Sequence, residues 1–367
     1  MSLGGIKRLR VAVIGAGLAG LSCARMLAEA GAAVVVFEKS RGVGGRMATR
    51  RLSGTGVGDP SSQAWQAEAD HGVPSFTARQ PAFVKAVDDA AARGWLLPWQ
   101  PRVVAGGNPL ASGEPQWVAT PCMKSWCAAL AQGLDMRLEQ HVDELARQPG
   151  SWAVQARGAS VGEGFDHVLL ALPPAQAAVL LRPHQPAWAE RLQAWPMQAT
   201  WTWLGVSTGL IPAADWDVLW PLTGPLLRVD RQTGRTWRRT PAGREVWTAH
   251  ATPAWTDAHL EAPAAQVEQA LREAVERVIG SAPRWAGSWV HRWRYAQAAE
   301  HPPEAAGEPC WWAPDSGLGV CGDALGGGAG GAGVEGAWMS GRALAARLIQ
   351  QSAHPTLEPT ERLHHVP

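Results

Sequence analysis

The sequence has little that would point to a disulfide framework, a metal centre or a nucleic-acid partner. Its five cysteines, an odd number, include no CxxC pair, so neither paired disulfides nor zinc-ligand spacing is indicated. The formal net charge is +1, and no block of like charges marks a surface for nucleic acid or an anionic membrane. The cysteine usage is typical of a protein from the reducing cytoplasm.

Long apolar runs are also lacking. No stretch reaches the roughly 20 residues that a transmembrane helix requires, so no membrane partner is expected. Basic residues 7–10 followed by the apolar residues 11–24 resemble a signal peptide, but the regularly spaced glycines within that run favour a folded segment. Tyrosine occurs once and phenylalanine four times, against 21 tryptophans, some of which we expect to line a ligand cavity. With 46% apolar and 18% charged residues, the chain is typical of a globular protein with one large or two modest domains.

The chain opens with a pattern typical of dinucleotide binding. The apolar run 11–14 predicts a buried parallel strand, and a helix is predicted from there to Gly31. A second strand, 33–37, ends in Glu38, which is placed to accept hydrogen bonds from a ribose. Between the first strand and the helix stand the glycines of a G-x-G-x-x-G motif, Gly15, Gly17 and Gly20, with Ala19 beside the last.

Each glycine of this motif has a physical reason. Gly15 permits the tight turn, Gly17 lets a pyrophosphate approach the backbone, and Gly20 lets the helix pack on the strand. The helix N-terminus then offers free N–H groups to the diphosphate. The same spacing recurs at residues 317–322, where the glycines interrupt a strand instead of following it. Only the first motif therefore predicts a dinucleotide site; a structural glycine-rich turn is the alternative.

A second pair of glycines follows Glu38, the acidic residue at the end of the second predicted strand. In the segment from Lys39 to Met47, Gly44 and Gly45 can bring amides near the diphosphate, and Arg46 can neutralise it. A nicotinamide dehydrogenase has no need of this pair, so it favours the larger cofactor FAD. A flexible loop with a solvated arginine is the alternative interpretation.

Taken together, the motifs resemble the FAD-containing amine-oxidase-like superfamily, and within it the bacterial renalase-like NAD(P)/FAD-dependent oxidoreductases. Beyond residue 47, the blocks that carry the resemblance are 70–72 with 76–79, 250–252 with Trp255, 291–296, and 321–323 with 333–341. The resemblance implies further cofactor contacts at Gly72, Val73, Val142, Gly322, Asp323, Gly333 and Val334. Val73-Pro74-Ser75 departs from the family pattern of Ala-Gln-aromatic, which removes a polar and an aromatic contact near the flavin.

The expected fold class is α/β: an FAD-binding Rossmann-like domain of the glutathione-reductase and amine-oxidase type, with a second domain of a largely antiparallel sheet plus helices. Residues 1–80, 135–175 and 315–352 are assigned to the first domain, and 81–134 and 176–314 to the second. Residues 264–279 predict an amphipathic helix, 158–164 a hairpin loop, and 353–367 a mobile tail.

The expected function is hydride transfer from a small substrate to non-covalent FAD, followed by reoxidation by O2. No cysteine lies in 324–349 to attach a flavin. The resemblance implies dihydronicotinamide isomers as substrate, with His250, Trp293 and Tyr295 on the substrate side. Alternatively, His250 and His291 are satisfied core histidines and Trp293 only packs the core. An amine oxidase, a desaturase-like enzyme for an apolar substrate and a non-catalytic flavin-binding protein remain as rivals, and the number of subunits is left open.

Overall fold

The computed structural model describes residues 9–54, 64–110, 113–211, 215–234, 240–299, 308–326 and 333–353. The predicted mobile tail lies outside these ranges, apart from residue 353. The described helices are α1 (Leu18–Glu29), α2 (Pro81–Ala92), α3 (Lys124–Ala131), α4 (Pro174–Leu181), α5 (Pro186–Gln193), α6 (Pro253–Ala258), α7 (Ala264–Ile279) and α8 (Gly333–Ala353). Within the described ranges, no helix has the length and apolar character needed to span a bilayer.

Twenty strands form five sheets within the described residues. They are β1 (Arg10–Ile14), β2 (Ala33–Phe37), β3 (Thr49–Gly54), β4 (Trp65–Asp70), β5 (Leu96–Trp99), β6 (Val103–Ala105), β7 (Asn108–Pro109), β8 (Gln116–Ala119), β9 (Asp135–Arg137), β10 (Glu144–Gln148), β11 (Ser151–Ala156), β12 (Ala159–Phe165), β13 (His167–Leu170), β14 (Met197–Ser207), β15 (Val218–Trp220), β16 (Leu226–Arg231), β17 (Val246–Ala251), β18 (Trp285–Ala298), β19 (Trp311–Ala313) and β20 (Leu318–Val320).

A six-stranded sheet in the order β19-β20-β13-β1-β2-β9 is parallel except at its β19 edge. Alternate residues of β1 enter two different cores. Val11 and Val13 pack with α1 and α8, whereas Ala12 and Ile14 pack with α4 and α5 on the other face. Because both faces are covered, the strand is a continuous apolar run, and the predicted strand-helix-strand start is confirmed.

A seven-stranded sheet in the order β18-β14-β17-β16-β15-β6-β7 is antiparallel except for the β15–β6 pair. One face packs on α7, which spans the residues predicted to be an amphipathic helix. Residues at alternate positions on β14 and β17, including Trp203, Trp247 and Ala249, face that helix. The opposite face carries polar side chains, and it is turned toward the β3–β4 hairpin.

The two segments predicted to form a second domain divide between the cores. Strands β6 and β7 from the first segment and β14 to β18 from the second form the seven-stranded sheet. In contrast, α2, β5, β8 and α3 share the core of α1 and α8, and α4 and α5 lie under the parallel sheet. Strand β19, which the sequence placed in the second segment, is an edge of the parallel sheet.

The predicted hairpin loop at 158–164 is wrong. The turn is confined to Arg157 and Gly158, both with positive φ, and residues 159–165 form strand β12. The glycines there had suggested a loop. At Gly162, however, a Cβ would lie about 3 Å from the rings of Phe165 and Phe37, so glycine leaves room for that aromatic pair.

Helices α1 and α8 cross at a glycine. A Cβ at Gly341 would clash with the Ala19 carbonyl oxygen and the Ser22 Oγ. Ser22 also donates a hydrogen bond to the Trp338 carbonyl at 3.3 Å, which joins the same two helices. The close approach of the helices therefore depends on the missing side chain.

We expect Gly341→Ala to destabilise the protein by about 1–3 kcal/mol, because backbone atoms must move to admit one methyl group. Gly113→Ala is the matched control, since a Cβ there meets nothing within 4 Å. Thermal denaturation of both variants tests the difference. Equal melting temperatures would contradict the close crossing of α1 and α8.

Candidate active site

The three glycines of the first motif have different surroundings. Gly15 has φ of +108°, and a Cβ there would clash with the Ala171 carbonyl oxygen. A Cβ at Gly20 would clash with the Gly15 carbonyl oxygen. At Gly17, by contrast, a Cβ would meet nothing within 4 Å. Two glycines are thus required by the packing of the protein, and the third leaves open space beside the N-terminus of α1.

Glu38 lies at the end of β2, beside this turn. It is only 8% exposed, and each of its carboxylate oxygens accepts one backbone hydrogen bond. Oε2 accepts from Ala16 N at 2.9 Å and Oε1 from Ser40 N at 2.8 Å. A carboxylate has about four acceptor positions, so two more hydrogen bonds can be accepted, as from a ribose hydroxyl pair.

The second glycine pair packs directly on the first motif. Gly44 N donates to the Ala16 carbonyl at 2.9 Å, and Gly44 and Gly17 form an isolated parallel bridge. Gly45 has φ of +52°, and its Cβ would lie 3.3 Å from the Gly17 Cα. Both segments therefore present backbone at the same place, where the α1 N-terminus favours an anion.

Arg46 and Asp323 bind each other. The guanidinium makes a bidentate ion pair with the carboxylate, with Nη1 and Oδ2 2.8 Å apart and Nη2 against Oδ1. Arg46 Nη1 also donates to the Ala296 carbonyl on β18 at 3.1 Å. The pair joins the second glycine motif, the C-terminal motif and the edge of the seven-stranded sheet. Its contact with a cofactor stays a prediction.

The remaining predicted cofactor residues have varied surroundings. Met47 and Val142 are buried, and Lys39 is at the surface, where its Nζ lies 3.5 Å from Gln176 Oε1. Ala19 is at the α1–α8 crossing, and Gly322 N donates to Ser340 Oγ at 2.9 Å. Gly333 and Val334 begin α8, and Val73 N donates to the Arg46 carbonyl at 2.9 Å.

Three consecutive carbonyls, beginning with that of the last residue of β4, each accept a hydrogen bond. The donors are side chains of the seven-stranded sheet or of the turn that follows β16. Gln232 Nε2 donates to the Asp70 carbonyl at 2.8 Å, and Trp293 Nε1 to the His71 carbonyl at 2.9 Å. His250 Nε2 lies 2.9 Å from the Gly72 carbonyl. Segment 70–72 is thereby held against the polar face of the sheet.

Asp70 strengthens this attachment from the other side. Its buried carboxylate accepts from Thr49 Oγ1 at 2.6 Å and from Met123 N at 3.1 Å, and its own N–H donates to Gln232 Oε1 at 2.9 Å. The Gln232 side chain thus bonds both main-chain groups of Asp70. Because β3 and the start of α3 are held as well, segment 70–72 has a fixed position.

Of the predicted substrate-side residues, the structure brings His250 and Trp293 together at this segment. The His71 ring stacks on Trp293, with centroids 5.1 Å apart, and meets His291 edge-on at 4.8 Å. Tyr295 lies two residues after Trp293 on the same strand and is half-buried. His71, His291, His250 and Trp293 are called the histidine cluster below.

The histidine cluster is neutral near pH 7. Burial, together with His291 and Arg50, lowers the pKa of His71 to about 3. Burial also lowers the pKa of His250 and of His291, and Arg50 lowers that of His291 further. Since the Gly72 carbonyl can only accept, the neutral His250 carries its hydrogen on Nε2. Its Nδ1 is therefore a lone-pair acceptor.

Sequence reasoning missed Gln232 and Thr202, and it did not single out His71. His71 stands inside the quoted block 70–72, so that block was a usable signal. Thr202 is paired in register with both His250 and His291, which only the alignment of three strands reveals. Gln232 follows a strand in an ordinary polar stretch, and no local pattern distinguishes it.

The parallel sheet, the glycine turn and the terminal Glu38 define a dinucleotide-binding fold of the flavoprotein type. A family model described as an NAD(P)-binding Rossmann-like domain matches residues 13–89. A second, described as flavin containing amine oxidoreductase, matches residues 109–349. The chain belongs to the flavin-containing amine oxidoreductase family. It is therefore an FAD-dependent oxidoreductase, and the predicted superfamily is confirmed.

Solved structures agree with this fold. A protein assigned as a protoporphyrinogen oxidase from Exiguobacterium sp. 255-15 has a TM-score of 0.70 at 13% identity. Cyclohexylamine oxidase from Brevibacterium oxydans has a TM-score of 0.64 at 14% identity. Both alignments cover 94% of this chain and 99% of the other. An oxidoreductase from Methanosarcina mazei, at 18% identity and a TM-score of 0.55, covers 94% and 100%. The predicted fold class is confirmed.

The residues present fit a flavin dinucleotide. Open space at Gly17 lies beside the free N–H groups of α1, and the buried Glu38 retains acceptor capacity. We expect Glu38→Gln to weaken FAD binding about 10-fold, because an amide nitrogen would face a backbone donor and one ribose acceptor would be lost. Flavin fluorescence during titration of the apoprotein measures this. Glu29→Gln, on the outer end of α1, is the control; equal affinities would contradict the role of Glu38.

We expect acid to destabilise the protein through the histidine cluster. The unfolded histidine has a pKa near 6.5 and the folded His71 about 3, so the folded state binds fewer protons. The stability from neutral burial is complete above pH 6.5 and decreases as pH falls, by up to about 1.4 kcal/mol per pH unit for each histidine. Urea denaturation of wild type and His71→Gln between pH 5 and 7 compares the slopes. Identical slopes would show that His71 takes up protons in the folded protein as readily as in the unfolded chain, and would contradict its lowered pKa.

Proposed function

We propose that the protein is an oxidase of dihydronicotinamide isomers, with non-covalently held FAD and O2 as electron acceptor. The observation that carries this is the neutral, aromatic histidine cluster fixed at segment 70–72. A dihydronicotinamide ring is planar and uncharged, and it can stack on an indole or imidazole. None of the four side chains of the histidine cluster carries a negative charge, so a cationic amine finds no ion-pair partner among them.

The residues of the chain bind and orient the ring. Trp293 is held by its Nε1 bond to the His71 carbonyl, so its ring plane is set before substrate arrives. His250 is held through Nε2 and offers its Nδ1 as an acceptor of a substrate N–H. Burial of these groups excludes water, which strengthens each polar contact. Orientation of this kind is the main contribution of a protein to cofactor chemistry.

When bound, the flavin supplies the hydride acceptor and later gives two electrons to O2. The candidate holding groups are the backbone at Gly15, Gly17, Gly44 and Gly45, the Glu38 carboxylate, and the Arg46–Asp323 pair. Non-covalent attachment is proposed because the cysteines of the described residues are buried. In addition, a hydrogen bond with Cys23 and burial raise the pKa of Cys321, the cysteine within the C-terminal motif. Oxygen is proposed because the described residues contain a single dinucleotide-binding βαβ unit.

An amine oxidase is the second candidate. The family match favours it, and a structural neighbour is named as a cyclohexylamine oxidase. In that case a primary or secondary amine would reduce the flavin and an imine or aldehyde would appear. Tyr295, two residues along β18 from Trp293, would then be the aromatic group best placed to meet the amine.

Anaerobic titration of the FAD-loaded protein tests the proposal. We expect 2- or 6-dihydronicotinamide nucleotides to bleach the flavin stoichiometrically within seconds, and 4-dihydro-NADPH and simple amines to leave it largely oxidised. Readmission of air should restore the absorbance with release of one hydrogen peroxide per flavin.

Trp293→Leu is the matched variant, because it removes the stacking surface and the hydrogen bond to His71 while keeping an apolar side chain. Its reduction rate should decrease about 100-fold, as expected when a substrate loses its orientation. Rapid bleaching by amines with no response to dihydronicotinamides would overturn the assignment and favour the amine oxidase.

A further inference from the structure

Three buried polar atoms, two in the histidine cluster and one on the strand beside it, have no hydrogen-bond partner. They are Thr202 Oγ1, His250 Nδ1 and His71 Nδ1. Thr202 is fully buried and His71 is 6% exposed. Native proteins satisfy most such groups, because an unpaired buried polar atom keeps its desolvation penalty. Three such atoms at one place leave hydrogen-bonding capacity for a bound group.

Thr202 and His250 are neighbours on one face of the seven-stranded sheet. Thr202 on β14 is in register with His250 on β17 and with His291 on β18, so the three Cβ atoms stand in a row across adjacent strands. His71 enters this row from segment 70–72, in edge-on contact with His291. The unpartnered atoms thus belong to groups that converge from two layers of the fold.

The unused hydrogen-bonding capacities of His250 and Thr202 differ: one side chain accepts and the other can donate. His250 donates through Nε2 to the Gly72 carbonyl, so its Nδ1 can only accept. Thr202 has a hydroxyl hydrogen to donate as well as lone pairs. A matching ligand group must offer an N–H and an acceptor oxygen side by side, which is the pattern of a primary amide.

We propose that Thr202, with His250 and His71, forms a subsite for the primary carboxamide of the substrate. The amide N–H donates to His250 Nδ1, and the amide oxygen accepts from the Thr202 hydroxyl. This inference rests on the proposed function, since a dihydronicotinamide carries such a carboxamide. Thr202 is thereby a specificity-determining residue that distinguishes carboxamide rings from the corresponding acids and amines.

Substitution of Thr202 has opposite effects on stability and on binding. Thr202→Val keeps the shape and removes an unsatisfied hydroxyl, so the protein without substrate should melt about 2 °C higher. The same variant should bind nicotinamide mononucleotide about 10-fold more weakly, measured by the change in the flavin absorbance spectrum. Thr202→Ser should retain wild-type affinity, and nicotinic acid mononucleotide should bind weakly to all three proteins.

Thr248→Val is the matched control. Thr248 is fully buried on the same face of the adjacent strand, and its hydroxyl accepts from Gln232 Nε2 at 2.8 Å. Because this hydroxyl is satisfied, its removal should lower the melting temperature instead of raising it. A decrease for Thr202→Val as well would show that its hydroxyl is satisfied within the protein, by an ordered water for example, and would overturn the subsite.

The subsite and the proposed function fail in different ways. Normal bleaching of wild type by dihydronicotinamides, with unchanged affinity in Thr202→Val, overturns the subsite alone. Failure of wild type to bind any nicotinamide compound overturns the carboxamide as occupant together with the proposed function. A higher melting temperature and weaker nicotinamide binding in the same variant supports both.

Discussion

The attachment of segment 70–72 is the constraint on which the rest of the site depends. Three successive carbonyls are bound by Gln232, Trp293 and His250, which come from separate parts of the seven-stranded sheet and its turns. The same segment is anchored through Asp70 to β3 and to the start of α3, and α3 shares a core with the dinucleotide-binding helix. The two layers of the protein are thus joined at the place where cofactor and substrate must meet.

Strand alternation lets one sheet serve two purposes. On β14 and β17, one set of alternate residues includes the tryptophans and alanines that pack on α7. The other set includes Thr202, Thr248 and His250 near segment 70–72, and apolar residues that pack on the β3–β4 hairpin. The apolar set stabilises the sheet through burial, so the polar set can remain partly unsatisfied. A site with unpaired buried groups reduces stability locally, and the α7 core compensates for it.

The sequence predicted the elements whose signals are local. The β1–α1–β2 start and α7 follow from apolar periodicity and glycine spacing, and the structure has them within a few residues. The contact of Arg46 with Asp323 joins residues 277 positions apart, and the row of Thr202 and the histidines depends on the register of three strands. Such long-range pairings leave no pattern within a short window. Glycines inside β12 misled the prediction, because Gly162 makes room for the rings of Phe37 and Phe165, which come from outside the local window or from the strand's end.

The crossing of α1 and α8 has a consequence for biosynthesis. The inner surface of α1, which carries the diphosphate-binding turn, is covered by Trp338 and Gly341, more than 300 residues further along the chain. On the ribosome, this surface stays exposed until α8 has emerged, and a chain that ends before α8 lacks the helix that covers it. We therefore expect cofactor binding to follow the synthesis of α8. Products that terminate before α8 present an uncovered apolar helix to chaperones and proteases.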